Sequence, residues 1–141
     1  MNTVFDEVPL SPLGEFTLAE PLKDEQVSRL PPLFYHEDEA LESELLVLKL
    51  VSHANPNHEV YLYEFDGINL FSAMLLSKGE SPHVSFDLVT VAVSEQPAFR
   101  VVELFKPRTV YEVIIETEAN GFSVSVVEAD SLLAEFGLNQ A

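Results

Sequence analysis

From Leu45 to Glu128 the chain alternates apolar runs of strand length with turn signals too short to hold a crossover. This constrains the fold most. Parallel neighbours need a connection of about a dozen residues, whereas strands joined by tight turns must run antiparallel. "LLVLKLVSH" opens the series and "ANPN" turns it. In "EVYLYEF", Val60, Leu62 and Glu64 alternate with Tyr61, Tyr63 and Phe65, so the three aromatic residues are expected on one face. Asp66–Gly67 predicts a two-residue hairpin loop, because a type I′ turn needs φ > 0 at both central residues. "INLFSAMLLS", "HVSFDLVTVAVS", "FRVVELF" and "TVYEVIIETE" follow as further strands. Asn120–Gly121 marks another tight turn, after which "FSVSVVE" sets Phe122, Val124 and Val126 inward with serines on the outer face.

Helices are expected only towards the ends. Five of the nine prolines lie in the first 35 residues, so this arm cannot be one long element. Pro21 suits a first helical turn, and "LKDEQVSRL" places Leu22, Val27 and Leu30 near one face before Pro31–Pro32 stops it. "HEDEALESEL" reads as a solvated loop or one to two helical turns, with Leu41 and Leu45 facing inward in the helical case. "ADSLLAEFGLNQ" reads as a short helix with Asp130 as N-cap and Gly137 at the C′ position. The expected class is α+β and mainly antiparallel β. It would be a meander sheet or partly closed barrel of about seven strands, with short helices near the termini. At 141 residues one domain is expected, over 1–141. Within it, 1–35 is a proline-rich arm packed on the sheet, 45–128 the β core and 130–137 the terminal helix.

Charge is the compositional outlier. There are 24 acidic residues against seven basic ones, a net charge of -17. Such a field repels nucleic acid and anionic lipid and attracts basic partners over about a Debye length. Its distribution is uneven. Between Arg29 and Lys49 there are five acids and no base, and after Arg108 there are six acids and no base. Seven bases cannot neutralise both regions by local pairing. If the two regions meet in space, one face is nearly all negative.

Several function classes lose support. Without cysteine there is no disulfide framework and no thiolate metal site. The N-terminus lacks a signal-peptide pattern, and no apolar run reaches the roughly 18 residues of a membrane span, so a cytoplasmic, membrane-free location is expected. His53 and His58 are five apart across Pro56, with no carboxylate at metal-ligand spacing, and they read as polar turn residues with His36 and His83 outside the pair. No serine sits in a nucleophile elbow, and the five glycines never cluster into a phosphate-cradling loop. No metal, cofactor or catalytic residue is assigned. Arg100, Lys106 and Arg108 form the only basic cluster; they are too few for direct nucleic-acid binding and are expected to pair with acids such as Glu103.

What remains is a small acidic interaction protein, not an enzyme, binding a basic surface of a protein partner as a monomer or homodimer. Its concrete form is an inhibitor that mimics DNA, with carboxylates occupying the phosphate sites of a nucleic-acid-handling protein. An immunity protein or secretion chaperone would show the same charge bias. A small-ligand-binding or enzymatic β domain is the alternative class. The expected partner-binding residues are Glu37, Asp38, Glu39, Glu42 and Glu44, together with Glu112, Glu116 and Glu118. Tyr61, Tyr63 and Phe65 form an aromatic patch that is either covered by the N-terminal arm or left partly open to a partner. "FDGINLFSAMLL", "SFDLVTV" and "VVELFKPRTVYEV", between Phe65 and Val113, resemble small uncharacterised domains of bacterial plasmids and conjugative elements. That resemblance implies a mobile-element setting and carries no catalytic residues.

The charge pattern gives a first prediction. Clustered acids repel, so the melting temperature should rise as salt goes from about 0.01 M to physiological strength, a Debye-length change of roughly 30 to 8 Å. A flat or falling curve in a salt series by circular dichroism would show that the carboxylates are locally paired.

Overall fold

In the computed structural model, residues 14–34, 40–119 and 121–136 are described. The chain forms a nearly closed, barrel-like sheet, mixed but largely antiparallel, with three short helices among the described residues. The strands are β1 (Gly14–Leu18), β2 (Leu45–Leu46), β3 (Leu48–Ser52), β4 (His58–Phe65), β5 (Leu70–Ser77), β6 (His83–Val93), β7 (Phe99–Val101), β8 (Arg108–Thr109) and β9 (Ser125–Val126). The helices are α1 (Asp24–Val27), α2 (Val110–Glu118) and α3 (Ala129–Glu135). Strands β3 to β6 make the expected antiparallel meander, and β7 adds antiparallel to the outer side of β3. The sheet order is β1-β6-β5-β4-β3-β7. The mixed character comes from β1 and β9, which both run parallel to β6. No short turn dictates those pairings, because β1 reaches β6 from far away in sequence.

Two apolar clusters lie on opposite faces of the meander. The interior holds Phe16, Leu50, Leu62, Leu75 and Phe99, with Leu132 and Leu133 of α3 at one end. Leu22, Val27 and Leu30 pack here, as the spacing around α1 implies. The outer cluster holds Leu46, Tyr61, Tyr63, Met74, Leu76 and Val84, roofed by Val110 and Val113 of α2.

The roof is the main departure from expectation. "TVYEVIIETE" is a helix and not a strand. Thr109 and Glu112 form a capping box: Glu112 N–H donates to Thr109 Oγ1 at 3.1 Å and Thr109 N–H to Glu112 Oε1 at 2.8 Å. Val110, Val113, Ile114 and Thr117 then recur at helical spacing on the covered side, and this outweighs the β propensity of valine and isoleucine.

Five further differences are local. The register shifts between Leu62 and Glu64, so a β-bulge at Tyr63 sends Phe65 to the opposite face from Tyr61 and Tyr63. The Asp66–Gly67 connection is a four-residue loop and not a two-residue turn. Only Gly67 has positive φ, and Asp66 Oδ1 accepts from the N–H groups of Ile68, Asn69 and Leu70. Leu41 and Leu45 are exposed, because Leu41–Ser43 is a single 3-10 turn lying on the surface. After α2, only Ser125–Val126 is strand; Phe122 and Val126 are exposed. The N-cap of α3 is Glu128, two residues ahead of Asp130, while Asn120 and Gly137 lie outside the described residues.

Removing the cap of α2 tests this account. Thr109→Ala should cost about 1 kcal/mol, seen as a lower urea midpoint at unchanged slope. A midpoint equal to the parent's would show that packing alone holds the helix.

Candidate functional site

The described end of the first acidic region meets the start of the second. The 3-10 turn at Leu41–Ser43 packs on α2. The link is backbone: Val110 N–H donates to Glu44 C=O at 2.9 Å, and Leu45–Leu46 pairs with Arg108–Thr109. Glu42, Glu112 and Glu116 are exposed on these elements. Glu118 is half-buried and accepts from Val124 N–H at 2.8 Å. Glu44 is only 6% exposed, so its carboxylate does not form part of an open face. Glu37, Asp38 and Glu39 lie outside the described residues. The same two elements also leave Leu41, Tyr111 and Ile115 exposed, and Leu45 of β2 is exposed beside them.

This face is not wholly uncompensated. Arg108 Nη1 donates to Glu116 Oε1 at 2.8 Å. That bond outweighs the opposing effect of burial and, with the more distant Lys78 and Lys49, holds the Glu116 carboxyl below the usual carboxylate range. Arg108 therefore pairs forward into α2 and not with Glu103, which instead stands 3.9 Å from Lys23.

Beneath α2 lies a charge network that local spacing does not disclose. Glu59 is 4% exposed, yet its Oε2 lies 3.4 Å from Lys49 Nζ and 3.1 Å from Lys78 Nζ. Tyr61 Oη donates to Glu59 Oε1 at 2.5 Å, and Lys49 Nζ stands 5.5 Å from the Tyr61 ring centroid. Burial first, then the Glu59 charge, pushes the Tyr61 phenol far up. Burial also raises Tyr63, with Glu64 and Glu44 adding to it. The expected aromatic patch is thus divided and covered: Tyr61 and Tyr63 pack with Val110 and Val113 of α2 and with Phe105. Phe65 stacks on Phe71 at 4.4 Å on the other face.

A third cluster sits at the end of the barrel near α3. Glu135 bridges two imidazoles, with Oε2 3.1 Å from His58 Nε2 and Oε1 2.7 Å from His83 Nε2. Ser77 Oγ also donates to Oε2. His83 Nδ1 lies 2.8 Å from Ser81 C=O, and the His58 ring stacks on Phe136 at 4.2 Å. Partial burial would raise the Glu135 carboxyl, but the bonds from Ser77 and His83 outweigh it and hold it low. Burial would lower His83, but the Ser81 carbonyl and Glu135 raise it on balance. In the sequence His58 reads as a polar turn residue, and His83 carries no assigned role. Nothing in local spacing links them to a glutamate 77 and 52 positions away. Among the described residues no group of three or more His, Asp or Glu is placed to hold a metal ion. No described helix is long and apolar enough to cross a membrane. Scans of protein-family models, of curated proteins and of solved structures each found no match to this chain.

The Glu135–His83 pair makes stability pH-dependent. A raised His83 contributes fully below its ordinary value of 6.5, and the contribution is lost as pH rises through the folded value. A lowered Glu135 contributes above its ordinary 4.5, and that is lost as pH falls through its folded value. The pair should therefore stabilise most between 4.5 and 6.5. The difference in melting temperature between the parent and His83→Gln should peak in that window and shrink on either side. Because both groups are partly open to water, the effect should stay within about 1 kcal/mol. A difference that does not vary with pH would show that the pair is not charged.

Proposed function

We propose that this chain is a cytoplasmic, non-catalytic interaction protein that binds a basic surface of a protein partner. The observation that carries the reading is the packing of the Leu41–Ser43 turn on α2, which brings Glu42 beside the helix that bears Glu112 and Glu116. Carboxylates gathered this way present a field that steers a cationic partner into encounter. Exposed Tyr111, Ile115 and Leu41 on the same elements, with Leu45 of β2 beside them, supply apolar and aromatic contact area, which long-range charge alone does not. In its concrete form the partner is a nucleic-acid-handling protein, and the carboxylates take the place of phosphates in its binding site.

The test is kinetic. A partner captured from a bacterial cytosolic extract is measured against the parent and against the triple reversal Glu37→Lys, Glu39→Lys, Glu42→Lys. Surface-charge steering predicts association slowed several-fold at low salt, with little change in dissociation and a gap that narrows as salt rises. Duplex DNA should compete for the same partner. Equal association rates for parent and reversal at both salts would leave the acidic run as a solubilising cap on a core strand.

A further inference from the structure

Where the two end strands of the sheet meet, the barrel is closed by side chains. Phe16 of β1 and Phe99 of β7 sit edge to face at 4.9 Å, and Ala98 N–H donates to Thr17 Oγ1 at 2.9 Å. Beyond this contact β1 and β7 part, and a cleft of about 380 Å³ opens between them. Leu18 and Phe99, both buried, form its floor, and Pro21 and Pro97 line it.

The backbone of β7 offers hydrogen bonds to this cleft. His53 N–H donates to Ala98 C=O and Val102 N–H donates to Lys49 C=O, each at 2.9 Å, with Arg100 opposite Val51. Alternate residues of an antiparallel ladder turn both polar groups to the partner. Arg100, the Ala98 carbonyl and the Val102 N–H therefore face β3, while Phe99 and Val101 present N–H and C=O on the opposite side. No strand of the described sheet pairs with that side, since β7 ends the order. Charged side chains of both signs surround it: Lys23 and Arg100 against Glu20 and Glu103. Lys23 and Glu103 are 3.9 Å apart and both largely exposed, so neither is committed to the other.

We propose that this seam binds a short, extended peptide with free termini and apolar side chains. Its main chain pairs with Phe99 and Val101 as an added strand, and a side chain rests on the Leu18–Phe99 floor. Lys23 and Arg100 meet the carboxylate; Glu20 and Glu103 meet the ammonium group. At roughly 3.3 Å per residue, two or three residues span the open edge. The site is separate from the acidic face and does not depend on the function proposed for it.

The experiment is a titration of the isotope-labelled full chain with the tripeptide valyl-leucyl-valine, read by amide chemical shifts. Saturable shifts are expected at Leu18, Ala19, Lys23 and from Phe99 to Glu103. The same tripeptide acetylated and amidated should bind at least tenfold more weakly. Val101→Pro deletes the N–H turned to the cleft and leaves the bonds of 100 and 102 to β3, so it should fold and lose binding at least tenfold. Arg100→Ala should lose binding to a similar degree and keeps the test decisive should the proline variant not fold. The proposal is overturned by absence of saturable shifts at the seam at about 1 mM peptide, by shifts centred elsewhere, or by parent-like binding in Arg100→Ala.

Discussion

Strand β5 is buried at all eight of its positions, and the rest of the architecture answers to that. A strand covered on both faces cannot lie in an open one-layer sheet with water on one side. Phe71, Ala73 and Leu75 point one way, and the sheet curls round until Phe16 and Phe99 touch and enclose them. Met74 and Leu76 point the other way and need a separate roof, which α2 provides through Val110 and Val113. Gly14 shows how tightly α3 closes the interior: a Cβ there would stand 2.6 Å from Leu133 Cδ2, so only a residue without a side chain leaves that leucine in place.

The same constraint explains what could be read from residues alone. The meander was legible because each of its connections carries its own turn chemistry, and local chemistry is what a single sequence displays. β5 itself was ambiguous because burial on both faces erases the period-two pattern that marks a half-exposed strand. The helix α2 has the composition of a strand although its helical signal is present. Thr109 and Glu112 stand at capping-box spacing, and Val110, Val113, Ile114 and Thr117 follow the helical period. Its β-branched composition favours a strand by propensity, and tertiary burial decides otherwise. The bulge at Tyr63 left no mark in the sequence, yet it moves Phe65 across the sheet. One inserted residue reverses every later side chain, so an alternation rule fails from that point on.

The clusters were less legible than the fold, for a related reason. Glu135, His58, His83 and Ser77 come from three strands and a helix, and Glu59, Lys49 and Lys78 from two strands and a loop. Contacts of that kind are fixed by register and closure, which depend on the whole sheet. Composition did reveal that acids outnumber bases. It did not reveal which acids are used inside. Glu44, Glu59 and Glu64 are buried, and Glu64 is held by Ser72 Oγ at 2.8 Å and Phe34 N–H at 2.9 Å.

Burying Glu59 has a consequence for the surface. A buried carboxylate is tolerated only when cations and donors satisfy it, and removing a partner leaves a costly unpaired charge. Lys49 and Lys78 meet that demand, and Arg108 beside them is engaged with Glu116. Three of the seven bases are thereby drawn into one network with two acids, and the rest of the chain keeps 22 acids against four bases. The remaining surface is therefore more negative in proportion than the chain as a whole. Two of those four bases, Lys23 and Arg100, line the barrel seam. With three cations beneath one helix and two along one seam, only Arg29 and Lys106 remain to offset the acids on the other faces.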